Sequence, residues 1–227
     1  MKSNLYISIG KGLLTGLLFL FVFLKGQAQN FSGKLILGVN GSQIDGDGMS
    51  GYYQPGLVFG AGARFPINDK LSIGPEIMYS QKGSRASFDQ VTKQGFDRII
   101  YRLNYVDLPI VAEYKVQPSM HIEGGLSFGY LLNARLDPGG NLGFGDAEYL
   151  FKRQDYQLLL GLKYRIFDDC WLSGRLMYSV ISTNKLGLTN LNYSLTGAPG
   201  RGGFFNNLLQ FTLSYRLFGA KEAPGEN

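Results

Sequence analysis

The chain has 227 residues, among them 32 Gly, 14 Tyr and 16 Phe, and only 17% of its side chains are charged. An apolar content of 44% excludes wholesale disorder, and the charge content falls below the roughly 25% of an ordinary soluble domain. The net charge of +5 comes without a Lys/Arg-rich run, so a nucleic-acid surface is not expected.

The first element is a segment for export. Lys2 and Lys11 precede an apolar run from Leu13 to Leu24, interrupted only by Thr15 and Gly16, and Gly26-Gln27-Ala28 follows. Basic start, apolar run and small-residue cleavage site are the order of a secretory signal. The run is shorter than the roughly 20 residues that a spanning helix needs, which disfavours the alternative of an uncleaved anchor. The spacing predicts a signal over residues 1–28, with the mature chain starting at Gln29. Cleavage also removes Lys2, Lys11 and Lys25, which lowers the net charge to about +2. No Cys lies near the cleavage site to carry a lipid.

Beyond residue 30 the pattern changes to alternation, one apolar residue in two, in segments of about ten residues. That is the length a tilted strand needs to cross a bilayer. Eight such segments follow in order: Lys34–Ser42, Gly56–Pro66, Leu71–Lys82, Tyr101–Lys115, Met120–Asn133, Tyr156–Ile166, Leu172–Ile181 and Leu208–Phe218. One face of each is apolar, as in Leu35, Leu37 and Val39, or Leu158, Leu160, Leu162 and Tyr164. The other face is polar or small, as in Gly38 and Asn40, or Gln210, Thr212 and Ser214. A soluble lipocalin-like barrel would show the same alternation with the faces exchanged, so alternation alone leaves both open.

Two features favour a membrane barrel. Connections near Ile67–Lys70, Val116–Ser119 and Phe167–Cys170 are short, whereas Gln43–Gln54, Gly83–Asp97, Ala134–Gln154 and Ser182–Asn207 are long. Strict alternation of short and long places all the long loops at one end, as in barrels with short periplasmic turns and long extracellular loops. The aromatics are the second feature. Phe65, Tyr114, Tyr164 and Tyr215 fall on the apolar face near the short turns, and Tyr79, Tyr130, Tyr156 and Tyr178 near the long loops. Two rings flanking an aliphatic band suit a bilayer with two interfaces. The expected fold is therefore all-β: an eight-stranded antiparallel up-and-down transmembrane β-barrel over residues 29–218. A short periplasmic polar tail, 219–227, would follow it.

The chemistry that the residues offer is sparse. Arg64, Glu76, Glu113, Glu123, Lys163, Arg165, Arg175 and Arg216 should all project inward. They could line a selective channel or neutralise one another as a plug. An eight-stranded barrel is just wide enough to be filled by side chains, which favours the plug. His121 is the one histidine, and it starts a strand at the short-turn end, away from any substrate at the cell surface. Cys170 is the one cysteine; it closes the turn Phe167-Asp168-Asp169-Cys170, with no basic neighbour to activate it. Asp45-Gly46-Asp47-Gly48 reads as a Gly/Asp turn sooner than as half a calcium loop, since no Glu follows at the required spacing. Asp137-Pro138-Gly139-Gly140 lacks the helix and the Lys-Ser/Thr pair of a phosphate-binding loop. No catalytic residue, metal site or cofactor is expected.

Several segments resemble the PorT-like family of outer-membrane β-barrel domains. These are Ser42-Gln43-Ile44-Asp45-Gly46-Asp47, Glu76-Ile77-Met78-Tyr79-Ser80-Gln81-Lys82-Gly83-Ser84, Leu103-Asn104-Tyr105-Val106-Asp107-Leu108-Pro109 and Glu123-Gly124-Gly125-Leu126-Ser127-Phe128-Gly129. The resemblance covers nearly the whole mature chain. It implies an outer-membrane location in a Gram-negative envelope. It also implies a role in secretion or envelope assembly, although most such proteins have no assigned activity. The expected contacts are outer-membrane lipid and other envelope proteins, the latter through the long loops. Ser182 to Asn207 is foremost among these because it is unusually apolar. A small-solute channel, a lipid-modifying enzyme using His121 and a soluble binder are the alternatives.

Overall fold

The computed structural model describes residues 31–93, 98–139, 142–185 and 203–219. The expected signal (1–28), the tail beyond Gly219 and residues 186–202 of the last long connection lie outside the described residues.

Alternation of apolar and polar residues forms strands, since successive side chains of an extended chain point to opposite faces. The strands are β1 (Ser32–Asp45), β2 (Gln54–Pro66), β3 (Leu71–Arg85), β4 (Ile100–Gln117), β5 (Met120–Asp137), β6 (Gly145–Asp146), β7 (Gln154–Phe167), β8 (Cys170–Ser179) and β9 (Phe205–Phe218). β6 is a two-residue piece paired on the end of β5, through Arg135↔Asp146 and Leu136↔Gly145. The other eight strands pair antiparallel with their neighbours, and β1 closes on β9 from Gly33↔Phe218 to Asp45↔Phe205. Closure leaves no open sheet edge, which a barrel in lipid requires. Among the described residues no helix is long and apolar enough to cross a membrane.

The barrel is inside out. Leu37 is 65% exposed, Leu126 63% and Leu160 61%, whereas Glu76, Glu113 and Arg175 are buried in the lumen. Close strand approach needs small residues. A Cβ at Gly60 would lie 2.8 Å from the Met78 Cα, and one at Gly38 would lie 2.7 Å from the Thr212 Cα. These glycines let β1, β2, β3 and β9 coil tightly.

The short turns match the sequence pattern. Asn68 accepts from the amides of Lys70 (2.9 Å) and Leu71 (2.8 Å) and so shapes the first of them. At the other end most strands run further than the alternation suggests, while β8 stops at Ser179, short of the expected Ile181. β4 and β5 have 18 residues each and pair up to Ile100↔Asp137. A bilayer takes only about 9–11 residues of a tilted strand, so the surplus stands above it. A bulge beside Asn133 switches the inward side of β5 from Leu131 to Ala134.

The long connections fold down on this extension. Phe88–Lys93 forms a one-and-a-half-turn helix, α1, that the alternation did not suggest. Its start is a capping box: Ser87 Oγ accepts from the Gln90 amide at 3.2 Å, and Gln90 Oε1 accepts from the Ser87 amide at 3.0 Å. Gln90 also donates to the Gly48 carbonyl at 3.2 Å, which ties the first two long connections together.

Candidate functional site

The lumen is stacked in layers. At the short-turn end His121 stacks on Trp171, ring centroids 4.8 Å apart. The Lys163 ammonium lies 5.1 Å from the same indole ring. His121 is thus fully buried at the end remote from the long loops.

Above it lies a charged layer to which seven of the eight barrel strands contribute. Arg175 on β8 grips two carboxylates at once. Its Nη1 and Nη2 donate to Glu76 at 2.7 and 2.9 Å, and its Nε and Nη2 donate to Glu123 at 2.7 and 3.0 Å. Lys163 donates to both oxygens of Glu113 at 2.9 and 3.0 Å. Lys34 bridges Glu76 at 2.7 Å and Glu113 at 3.2 Å. Arg64 reaches Glu113 at 3.2 Å and Ser72 at 2.8 Å. Bidentate geometry and multiple donors are what make buried ion pairs tolerable.

The structure therefore brings together Arg64, Glu76, Glu113, Glu123, Lys163 and Arg175, and adds Lys34, which the alternation places only at a strand end. Arg165 and Arg216 stand apart. Arg165 lies over the Trp171 ring, 5.5 Å from its centroid, and Arg216 holds Asp169 at 2.5 Å at the short-turn rim. Arg165 lies two residues nearer the turn than Lys163, and Arg216, although paired in register with Lys34, takes the carboxylate that the turn offers.

An apolar layer follows. Val111, Leu159, Met177 and Leu208 cluster inside, as do Ile36, Val58 and Met78. The inward face thus also carries large apolar residues, which corrects the expectation that it is polar or small. The cause is visible in runs such as Leu158-Leu159-Leu160 and Leu57-Val58-Phe59, where both faces are apolar.

A second charged group lies higher, between that layer and the cap. Lys82 on β3 is fully buried and contacts Asp107 at 2.9 Å, Asp155 at 3.5 Å and Gln157 at 3.1 Å, with the Tyr105 ring centroid 4.5 Å away. Ser179 and Asn206 complete the shell of Asp155 at 2.6 and 2.8 Å. Neither Lys82 nor Asp155 stood out in the sequence, because each sits where a strand was expected to end or begin.

The long-loop end is closed by an apolar cap. Ile44, Met49, Ala86, Ile99, Tyr101, Leu103, Tyr105, Leu131 and Phe204 belong to one buried cluster with residues of the third long connection, Ala147, Leu150 and Phe151. Around the cap several large apolar side chains are exposed: Tyr53, Phe88 (79%), Leu142 (80%) and Tyr149.

The Gly/Asp-rich loop after β1 is a turn. Gly46 and Gly48 have φ of 99° and 82°, values that suit glycine. The loop's carboxylates serve different partners. Asp45 accepts from Gln43 (2.7 Å) and Asn207 (3.2 Å), and Asp47 accepts from the Met49 amide at 2.8 Å. Burial pushes the Asp47 carboxyl up to about 7, against the Ser84 hydroxyl and the Met49 amide, which pull it down. The fold thus favours the neutral form. Its contribution is complete below the ordinary carboxylate range near 4 and is lost as pH rises through 7. Protease cleavage within Gly46–Tyr53 should therefore be slower at pH 5 than at pH 8, on the order of tenfold to a hundredfold. Asp47→Asn should flatten that profile, and an unchanged profile in the variant would remove Asp47 as its source.

The expected aromatic rings are placed as follows. Tyr114, Tyr164 and Tyr215 are exposed near the short turns, with Phe65 half-buried beside them. Tyr130, Tyr156 and Tyr178 are exposed nearer the long loops. Tyr79 is half-buried against Phe59, centroids 5.0 Å apart.

Comparison with known proteins gives a coherent result. Residues 27–185 match the family model described as outer membrane protein beta-barrel domain. No curated protein matches the chain. Among solved structures, Neisserial surface protein A (NspA) is 13% identical, with 82% of this chain and 99% of that one covered and a TM-score of 0.51. Ail, the attachment invasion locus protein of Yersinia pestis, is 12% identical, with 83% and 99% covered and a TM-score of 0.47. At such identities the likeness to NspA speaks for the fold alone.

Proposed function

The chain belongs to the outer membrane protein beta-barrel domain family, and on that premise we propose that it is a non-enzymatic, closed-lumen barrel that docks other envelope proteins at its long-loop end. The observation that carries this reading is the apolar cap, with Phe88 and Leu142 about four-fifths exposed around it. A solvated rim has no need of large apolar tips, whereas a protein interface is built around them. Side chains on a folded cap also lose less entropy on binding than those on loose loops.

Further features support the reading. Among the described residues the lumen is filled by mutually paired charges and by the apolar clusters between them, which disfavours the channel. His121, stacked on Trp171 far from the loops, is poorly placed as a base for surface substrates. The resemblance of the first, third, fourth and fifth strand segments to the PorT-like family favours secretion or envelope assembly as the process served. In the same reading the eight aromatics form two interfacial rings, the charged layers serve as a plug, residues 1–28 direct export, and the apolar stretch within Ser182–Asn207 adds to the docking surface.

Photo-crosslinkers at Phe88 and Leu142 in whole cells test the proposal. Discrete protein adducts, absent when the crosslinker replaces lipid-facing Leu160, are expected. Adducts only with lipid would overturn it. Purified protein in planar bilayers should be silent, and stepwise conductance would favour the channel instead.

A further inference from the structure

The outer surface of β3, β4 and β5 is graded in polarity from the membrane upward. Tyr79, Val106 and Tyr130 lie in one row, as the pairings Tyr79↔Val106 and Val106↔Tyr130 fix. The next outward row is amide: Gln81, Asn104 and Asn133. The row above is cationic, with Arg102 directly opposite Arg135 and Gly83 beside them. Arg85 follows two residues on, at the end of β3. Each outward step along a strand is about 6.6 Å, and a strand tilted about 40° gains about 5 Å in height per step. Arg102 and Arg135 therefore stand about 10 Å above the tyrosines and Arg85 about 15 Å. The polar zone of a leaflet is about 5–8 Å deep, so the guanidinium groups meet its phosphate level by reaching back toward the membrane on their long side chains.

The amide and arginine side chains line a groove of about 370 Å³. Arg102 packs on the Phe144 ring at 4.2 Å, and neither it, Arg85 nor Arg135 pairs with a carboxylate among the described residues. Asp146, opposite Arg135, turns its Oδ1 to the Glu148 amide at 3.2 Å. The Arg85 Nε is buried without a hydrogen-bond partner among the described residues. Arg98 and Arg102 lie close enough to repel Arg85. Unpaired guanidinium groups this crowded call for an external anion, and a buried unsatisfied donor marks where it would sit. Asn104 and Asn133, joined at 2.8 Å, add neutral hydrogen-bonding groups at the membrane side of the groove.

We propose that Arg85, Arg102 and Arg135 form a binding site for the phosphorylated headgroup of an outer-leaflet lipid, whose acyl chains lie on the apolar band below. The lipid occupant follows from the continuity of groove, amide row, aromatic row and apolar band on one face. The site rests on the reading of Tyr79 and Tyr130 as interfacial, and it is independent of protein docking at the cap.

Native mass spectrometry of the full-length protein in detergent tests it with three probes: bisphosphorylated lipid A, the same lipid with its phosphates removed, and inorganic pyrophosphate. The bisphosphorylated lipid should be retained about tenfold more than the dephosphorylated one. R102Q/R135Q should lose that preference while keeping the heat-dependent gel shift of a folded barrel. Equal retention of both lipids, or an unchanged preference in the variant, would overturn the site. Retention of pyrophosphate as strong as that of the lipid would overturn the lipid assignment. A label at Tyr130→Cys, in a Cys170→Ser background, reports separately on the interfacial reading. Quenching by brominated acyl chains supports it, and no quenching would show that the aromatic row stands clear of the bilayer.

Discussion

Arg175→Ala is expected to lower the unfolding free energy by about 3–5 kcal/mol, the range for removing one partner of a buried ion pair. The side chains of Glu76 and Glu123 are both 0% exposed, and Arg175 alone supplies four hydrogen bonds to them. Without it Glu76 retains Lys34 at 2.7 Å, while Glu123 loses its bidentate partner. Urea unfolding in detergent micelles measures the loss, with Trp171, the chain's one tryptophan, as fluorophore. R175M combined with E76Q and E123Q should recover most of the deficit, because an apolar or neutral replacement of a whole buried network is far cheaper than breaking it. A loss below about 1 kcal/mol in the single variant would mean that water reaches the carboxylates. The plugged lumen would then have to be abandoned.

Lys82→Met should cost as much, again about 3–5 kcal/mol. Lys82 is one cation against two buried carboxylates, Asp107 and Asp155, and its removal leaves both without a countercharge. Met preserves most of the volume beside Tyr105, so a cavity contributes little and the effect is electrostatic. Pairing K82M with D107N should restore more than half of the loss. No recovery in the pair would shift the cause from charge to packing. The charged layer nearer the short turns holds four cations against three carboxylates, so among the described residues each group carries the opposite excess of one.

The barrel was legible in the sequence because its physics is local. Alternation marks strands, and the regular exchange of short and long connections marks which ends meet. What was not legible depends on register. Whether two inward residues share a height is decided by stagger and shear, so Arg216 and Arg165 looked equivalent to Arg175 yet fall at the rim. Lys34, Lys82 and Asp155 sit at expected strand ends and carried no sign of their burial. Two signals were available but faint. Ser87-Phe88-Asp89-Gln90 spells the capping box of α1, and triplets such as Leu158-Leu159-Leu160 interrupt alternation where the inner apolar layer lies. The cap itself is assembled from four connections distant in sequence, and only the last of them, Ser182–Asn207, is apolar enough to draw notice by itself.

The partners inside the lumen are far apart along the chain: Arg175 and Glu76 are separated by 99 positions, Lys34 and Glu113 by 79, Lys82 and Gln157 by 75. None of these pairs can form from a local hairpin. Each waits for β1 to find β9 and for opposite walls to face one another. Where closure follows the rate-limiting step of assembly, interactions made that late do little to hasten it. They act on the way out: to leave the native state the wall must part while those charges are still shielded from water. The charged layers thus function as a latch. They lengthen the lifetime of the assembled protein in the envelope far more than they guide the nascent chain into it.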